Sequence, residues 1–495
     1  MPARLRRAVA LLVAAVVVAP MVAVASASPV AAAAAGDTSP SLQWRRCGNA
    51  QCATLPVPLD DTNPTSRLID LALVRIRATD RSRRIGALVV NPGGPGVPAV
   101  SFVRQFASVL PDAIRSRFDI VGFDPRGVGR STHVDCTDNL EQYWNLDFAA
   151  STPESRAALV AGVRQFVAAC EARSADLLPY LSTERTVRDL DRVRSALKEP
   201  KISFLGFSYG TLLGARYADR FPHRVRAAVL DGAIDPKLSA EATALQQAVG
   251  FERGLDDFLA WCSATRSCRF RRNGRSAAAY DRLRARLDRQ PIAVKDSDRS
   301  RLLGPTGFDI GVTQTLYEGR DGWASLGEAL DAADRGDGEE LLSSFDTYTG
   351  RRANGRYDDI QEAFLAISCL DAPVPGGVDA MMAIADRAAV VAPRLGRSII
   401  NNSLACAFWP VVSHDTPLAV PKAQHAPAIV VIGTRHDPAT PLAWAQGLVR
   451  ELASGVLITA RGERHTAFRA GNECVDHAVV HYLVDLSVPK PNLEC

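Results

Sequence analysis

The sequence predicts an α/β protein: a mostly parallel central sheet flanked by helices, with one helical domain inserted into it. Three observations predict it. Short apolar runs ending in loops that carry Gly, Pro or Asp alternate with helical patterns, as parallel strands alternate with their crossover helices. From about Pro236 to Gln424 that strand rhythm stops and amphipathic helical spacing takes over. Between the two regimes, the run Ile202-Ser203-Phe204-Leu205 leads through Gly206-Phe207-Ser208-Tyr209-Gly210 into a helix-like stretch starting at Thr211.

The first element in chain order is not part of the fold. Arg4, Arg6 and Arg7 precede an apolar stretch from Ala8 to Ala19, and small-residue cleavage sites follow at Ala25 and Ala27. Residues 1–35, including the Ala31–Ala35 run, are therefore expected to be a signal peptide and Ala-rich segment. The apolar stretch is nearly long enough to span a bilayer, so an uncleaved anchor is the alternative. Pro20 and the small residues favour cleavage, which leaves no stable membrane span. Lys and Arg number 58 against 54 Asp and Glu, and three of the arginines lie in this segment. The remainder is close to neutral, with no basic field that would attract nucleic acid or an anionic membrane.

The expected strands follow: Leu71–Ile76, Gly86–Asn91, Phe118–Phe123, Ile202–Gly206, Ala227–Asp231, Ala428–Gly433 and Gly455–Thr459. Val187–Leu197 reads as a helix between the third and fourth. In the insertion, Leu245–Trp261, Ala277–Leu287, Trp323–Arg335 and Tyr357–Cys369 read as amphipathic helices. The expected division is thus 36–236 for the first part of the core and 237–424 for a cap over the sheet's catalytic edge. Residues 425–495 form the second part of the core, with a C-terminal helix and tail. Arg266, Arg269, Arg271, Arg272 and Arg275 crowd one cap segment and read as a solvated face, with an anion-binding patch as the alternative.

All ten cysteines, at 47, 52, 136, 170, 262, 268, 369, 406, 474 and 495, lie beyond the signal segment. An even count in an exported chain reads as five disulfides. Sequence alone allows about 945 pairings; the sequential scheme Cys47–Cys52, Cys136–Cys170, Cys262–Cys268, Cys369–Cys406 and Cys474–Cys495 is the one we expect. No Cys-x2-Cys pair and no convergent histidines support a zinc site.

Strand, Gly-x-Ser-x-Gly and helix together form the nucleophile elbow of a serine hydrolase. The bare five-residue pattern arises by chance in roughly one chain in seven of this length, so the flanking strand and helix carry the inference. The tight turn lifts the Ser208 hydroxyl above the sheet and aims a helix N-terminus at the reaction centre. A serine nucleophile needs a base, an orienting acid and an oxyanion hole, in the chain order Ser, acid, His. Asp437 follows the Ala428–Gly433 strand in Thr434-Arg435-His436-Asp437-Pro438-Ala439-Thr440 and is the expected acid, with Thr440 near enough to help hold it.

Eight histidines compete for the base. His465 follows the last core strand, where the base belongs. His436 adjoins Asp437 and would point away from it. His477 and His481 share a helical face without a glutamate or third ligand for zinc. His133, His223, His414 and His425 have no supporting context. One oxyanion donor is expected from the amide of Tyr209, the residue after the nucleophile. The other is expected from Asn91-Pro92-Gly93-Gly94-Pro95-Gly96, with Gly94 preferred and Gly93 second.

As a set, several segments resemble the α/β-hydrolase family that contains proline iminopeptidases and, closer still, secreted bacterial tripeptidyl aminopeptidases. They are Asn91–Gly96, Gly122–Ser131, Asp189–Arg194, Gly206–Thr211, Val229–Gly232 with Asp235-Pro236, Ile367–Asp371, and the acid and base loops. The resemblance covers nearly all of the chain beyond the signal. It implies an α/β-hydrolase fold, Ser208 as nucleophile, Asp437 as acid, His465 as base, and cleavage of short peptides from free N-termini outside the cytoplasm. One departure stands out: the family's Gly-x-Gly-His before the base is Gly462-Glu463-Arg464-His465 here.

An aminopeptidase must hold an α-ammonium group, which calls for a carboxylate at the cap or rim; Glu362 and Asp371 are the candidates, a structural ion pair being the alternative for each. The expected function is a secreted serine exopeptidase acting on peptide substrates, with no cofactor and no metal. A carboxylic-ester hydrolase of the same fold is the alternative. A non-catalytic binding protein would have lost a triad residue, and none is lost.

Overall fold

The computed structural model describes residues 42–296, 299–413, 415 and 419–495. The expected signal segment and His414 lie outside these residues. Ten of twelve described strands form one sheet. In chain order they are β1 (Arg45–Cys47), β2 (Ala50–Pro58), β3 (Leu68–Ile76), β4 (Gly86–Asn91), β5 (Phe118–Phe123), β6 (Ile202–Phe207), β7 (Val225–Asp231), β8 (Ile292–Asp296), β9 (Arg299–Leu303), β10 (Ile429–Thr434), β11 (Gly455–Ala460) and β12 (Leu493–Glu494). The sheet order is β1-β2-β3-β5-β4-β6-β7-β10-β11-β12. The pairings from β5 through to β12 are parallel, and those joining β1, β2, β3 and β5 are antiparallel. This is the expected α/β-hydrolase fold.

The central strands are apolar throughout because both faces are covered. Along β4, Val89 packs into the cluster on one face while Leu88 and Val90 pack into that on the other. Phe204 and Leu205 of β6 divide in the same way. The chain leaves β4 toward β5 on one side and returns through β6 on the other. The carboxyl ends of β4 and β6 therefore flank a crevice where strand order reverses, the usual place for a ligand site in an open α/β sheet. Asn91 of β4 pairs with Gly206 of β6, and Phe207 of β6 with Asp231 of β7. Three of the loops singled out in the sequence thus start side by side.

Two of the other motifs also meet. Arg126, 1% exposed, forks onto Asp189 through Nε at 2.7 Å and Nη2 at 2.9 Å, and donates to the carbonyls of Leu59 and Tyr180. A buried pair satisfied on this scale resists removal of either partner, which costs about 3–5 kcal/mol.

Between β7 and β10 the chain forms the expected run of helices, with boundaries that differ from the sequence reading. The first is longer, Ala240–Ala264, and the one expected at Tyr357–Cys369 is Ile360–Asp371. Tyr357 lies outside it, bridging to Arg351 and donating its hydroxyl to Glu141 at 2.7 Å. The insertion also holds the antiparallel hairpin β8–β9, where only helices were expected. Arg271 and Arg272 of the arginine-rich segment are engaged, Arg271 with the Ser263 carbonyl and Arg272 with Asp331 and Asp334.

β1, β2 and β12 were not expected either. β2 carries Pro56 and Pro58, which normally demote a strand. Here β1 pairs only with Ala50–Cys52, so the prolines lie beyond it and need no partner on that edge. Disulfides join Cys47–Cys52, Cys136–Cys170, Cys262–Cys268, Cys369–Cys406 and Cys474–Cys495. The last ties the tail strand β12 to the final helix, Glu473–Asp485. No described helix is long and apolar enough to cross a membrane.

Candidate active site

Ser208 follows β6 and caps the Tyr209–Arg220 helix with φ 52° and ψ −122°, a conformation that side-chain-bearing residues avoid. Such a residue costs on the order of 1–3 kcal/mol and persists only where its surroundings over-determine it. They do here. The Ser208 amide donates to Asp231 O at 2.9 Å, and the Ser208 carbonyl accepts from the Thr211 amide and hydroxyl at 2.8 and 2.6 Å. The flanking glycines are demanded by close approach. A Cβ on Gly206 would strike the Gly210 carbonyl, and one on Gly210 would lie 2.7 Å from Asn91 Oδ1.

The loop after β4 leans over this turn. A Cβ on Gly93 (φ +101°) would sit 2.6 Å from Phe207 O, 3.0 Å from Ser208 Cβ and 3.2 Å from Tyr209 N. The backbone of Gly93 therefore borders the space above the serine and the Tyr209 amide. The Gly93 N–H is committed to Asn91 Oδ1 at 3.0 Å, which leaves Gly94 as the other candidate donor on this loop. Asp124, fully buried, anchors the loop's far end by accepting from the amides of Val100 and Arg130 at 2.8 and 2.9 Å. Burial pushes its carboxyl up to about 6.

Asp437 and His465 meet at the ends of β10 and β11. His465 Nδ1 lies 3.0 and 2.9 Å from the two oxygens of Asp437, which is fully buried. The carboxylate is further held by the amides of Ala439 and Thr440 at 2.9 and 2.8 Å and by the Thr440 hydroxyl at 3.0 Å. Nδ1 is thereby fixed as the nitrogen facing the acid. The other ring nitrogen, Nε2, is buried and has no hydrogen-bond partner among the described residues. Burial opposes protonation of the imidazole, but the adjacent Asp437, with Asp231 beyond it, outweighs burial and holds His465 above the ordinary histidine value.

Two contributions to this arrangement escaped the sequence reading. Asp231, at the end of β7 and fully buried, accepts from the amides of Ala467 and Phe468, two and three residues past His465. Tyr317 of the insertion receives the His465 amide on its carbonyl at 2.9 Å, and its ring meets the imidazole edge-on at 5.3 Å between centroids. Asp231 stood within a family motif without a role; Tyr317 carried no sequence signal, because its part is played by a carbonyl. Arg464, the departure from the family pattern, pairs with Asp321 of the insertion at 3.0 Å, beside Arg320–Glu463 at 3.2 Å.

The two ammonium candidates both lie on the Ile360–Asp371 helix, whose first turns touch the loop after β4: a Cβ on Gly96 would lie 2.7 Å from Ile360 O. Glu362, 5% exposed, accepts from the amides of Cys136 and Thr137 at 3.0 and 3.3 Å, and burial raises it to about 7. Asp371, half-buried, accepts from the Thr183 amide at 2.9 Å and from the Thr183 hydroxyl, which also meets the Tyr209 phenol. Asp371 thus connects the insertion to the residue after the elbow serine. His477 and His481 lie on the final helix with rings 4.2 Å apart, and His481 Nδ1 meets Asp485 at 3.1 Å. Among the described residues no group of three or more His, Cys, Asp or Glu could hold a metal ion.

The arrangement offers a half-buried serine at a strained strand-to-helix turn and an imidazole oriented by a carboxylate with its other nitrogen unengaged, parts that acyl transfer uses. Comparison with known proteins agrees with this chemistry. Residues 86–298 match the alpha/beta hydrolase fold family, and residues 392–495 match the family described as TAP-like protein. The chain is 37% identical over 478 residues to carboxylesterase B of Mycobacterium tuberculosis, covering 92% of this chain and 90% of the relative. It is 33% identical over 470 residues to serine protease Hip1 of the same organism, covering 90% and 88%. It is 30% identical over 487 residues to the tripeptidyl aminopeptidase of Streptomyces coelicolor, covering 94% and 88%.

Proposed function

The chain belongs to the tripeptidyl aminopeptidase-like α/β-hydrolase family, and from that premise we propose that it is an extracytoplasmic serine exopeptidase. The proposed reaction is hydrolysis of peptide bonds near free N-termini through an acyl-enzyme. The observation that carries this reading is the His465 ring, with Nδ1 on Asp437 and Nε2 buried and unengaged. An imidazole so held has one nitrogen left for a proton, and the elbow serine is the nucleophile at hand.

In the proposed mechanism the Ser208 hydroxyl attacks the scissile carbonyl as its proton passes to His465 Nε2, and Asp437 stabilises the imidazolium. The oxyanion is held by the amides of Tyr209 and Gly94. Collapse breaks the C–N bond, and the leaving amine takes the proton from Nε2. Water then gives a proton to Nε2 and its oxygen to the acyl carbon, and the ester breaks to return Ser208 its proton. For the substrate's α-ammonium, Asp371 is the better placed of the two candidates. Thr183 links it to Tyr209, the residue after the nucleophile, while burial raises its carboxyl to about 6. Export is supported by the N-terminal segment and by five disulfides, which persist in oxidising compartments.

The second reading, a carboxylic-ester hydrolase, is favoured by the 37% identity to a relative named carboxylesterase B. Turnover of unblocked tripeptide nitroanilides, N-acetylated counterparts and p-nitrophenyl esters separates the two. The peptidase reading expects cleavage of the unblocked amide and loss of it on acetylation. Ester turnover with no cleavage of any unblocked di- or tripeptide amide would replace it. Fluorophosphonate labelling that is abolished in Ser208→Ala is expected under both readings.

A further inference from the structure

We propose that Asp231 is a positioning residue for the base: a second buried carboxylate that clamps the His465 loop and lends its negative charge to the imidazole. The inference rests on the reading of His465 as the general base and adds a residue to it.

The geometry is a clamp along the sheet edge, from β7 past β10 to the loop after β11. Asp231 closes β7, and its own carbonyl accepts the Ser208 amide at 2.9 Å. Its carboxylate faces the opposite way along the sheet edge and accepts the Phe468 amide on Oδ2 at 2.7 Å and the Ala467 amide on Oδ2 and Oδ1 at 2.9 and 3.1 Å. One residue therefore grips the nucleophile's turn with its backbone and the base's loop with its side chain. The next residue, Gly232 (φ +70°), lies flat against the ring, so that a Cβ there would come within 2.9 Å of His465 Cε1.

Asp231 has no exposure to solvent, and among the described residues no cationic side chain is bonded to it. A carboxylate kept in such a place is expensive unless its charge is used. Burial, partly offset by the two amides and by the nearby imidazole, raises it to about 6, so it is ionised at neutral pH. The charged and titratable groups that bear on the imidazole are Asp437 from the loop after β10, Asp231 from β7 and Arg464 from its own loop. Tyr317, from the insertion, meets the ring edge-on. Asp437 touches Nδ1 and orients it. Asp231 works without touching the ring, through the loop it holds and through the field it adds, and both favour the imidazolium formed during attack.

The decisive variant is Asp231→Asn. An asparagine carbonyl oxygen can still receive both amides, since both already reach Oδ2, while the charge is gone. Two readouts are needed: the NMR titration of the His465 imidazole, and the rate of fluorophosphonate labelling across pH. Asp231→Asn is expected to move the His465 titration and the acid limb of labelling to lower pH, with a limiting rate reduced roughly tenfold or more. Asp231→Glu keeps the charge and should leave both titrations where the wild type has them, even where the rate falls. A titration unmoved in Asp231→Asn, or displaced downward in Asp231→Glu, would overturn the proposal. Should Asp231→Asn fail to fold, Asp231→Ser also removes the charge, and an unmoved His465 titration in it would equally overturn the proposal. Because the NMR readout needs no turnover, the two hypotheses fail separately. Wild-type protein that does not label at Ser208 removes the proposed function, whereas labelling with an insensitive His465 titration removes only the role of Asp231.

Discussion

The amide of His465 donates to the carbonyl of Tyr317 at 2.9 Å, so the backbone of the segment between β7 and β10 holds the backbone of the base loop. The contact is close-packed as well as hydrogen-bonded. Gly319, two residues on, has φ +58°, and a Cβ on it would lie 2.7 Å from Arg464 N. Gly319→Ala is therefore expected to displace the base loop and lower kcat/KM at least tenfold, with a loss of about 1–3 kcal/mol of stability from the strained backbone. Arg464→Gly, by contrast, removes an ion pair whose partner Asp321 is 76% exposed. Its effect on stability should stay below about 1 kcal/mol. Wild-type kcat/KM in Gly319→Ala would show that the cap contact does not govern the base.

Gly93 makes the sharpest steric prediction. Gly93→Ala would put a methyl 3.2 Å from the Tyr209 amide in a backbone conformation of φ +101°. The methyl occupies the space above the serine, so fluorophosphonate labelling should fall on the order of 100-fold or more, the scale of losing an oxyanion donor. Thermal unfolding should show a loss of about 1–3 kcal/mol from the strained backbone. Labelling within a few-fold of wild type would move the oxyanion site away from this loop.

The polar cage around Asp437 predicts graded losses and a pH limb. Asp437→Asn removes the charge facing Nδ1 and should reduce kcat on the order of 10,000-fold. Thr440→Ala removes one of several donors to the same carboxylate and should cost far less, about tenfold. Since the base must be neutral, activity should be lost as pH falls through a His465 value raised above the ordinary one. Stability runs the other way. The raised histidine stabilises the fold below the ordinary value, and that contribution is lost as pH rises through the raised one. Activity that persists well below pH 6 would contradict the raised base.

Glu362 predicts a stability change of definite sign. The folded state lifts its carboxyl from 4.5 to about 7. Between those values the folded protein keeps a proton that the unfolded chain has lost, so stability falls as pH rises through that window and levels off above it. Glu362→Gln removes this dependence. Relative to wild type, the variant should gain about 3 kcal/mol between pH 4.5 and 7.5 in urea unfolding, the order implied by the shift. A constant difference across that range would mean that Glu362 is not strained by its burial. If Asp371 holds the ammonium, this variant also leaves KM for unblocked peptides nearly unchanged.

The parts of the fold that were legible in the sequence share a physical cause. Strands buried on both faces must be apolar along their whole length, and β4, β5, β6, β7, β10 and β11 announce themselves in that way. The half-exposed β2, with its two prolines, has no such signature, and the two-residue β12 is too short to carry one. The 22-residue helix Pro153–Ser174 was also passed over, because alanines at 157, 158, 161, 168, 169 and 172 dilute the contrast between its faces.

At the site, sequence order alone singled out Ser208, Asp437 and His465, because each sits in a loop after an apolar strand and the fold allows one chain order. Sequence alone determined the strand–serine–helix turn, the α/β class and the family, since all of these are written in local residue choice and spacing. Tertiary structure decided the rest. It committed the Gly93 amide to Asn91, set Asp231 behind the base and brought the Tyr317 carbonyl onto His465. The last two join residues 148 to 237 positions apart through backbone groups, and a backbone carbonyl or amide has the same chemistry at every position until the chain is folded around it.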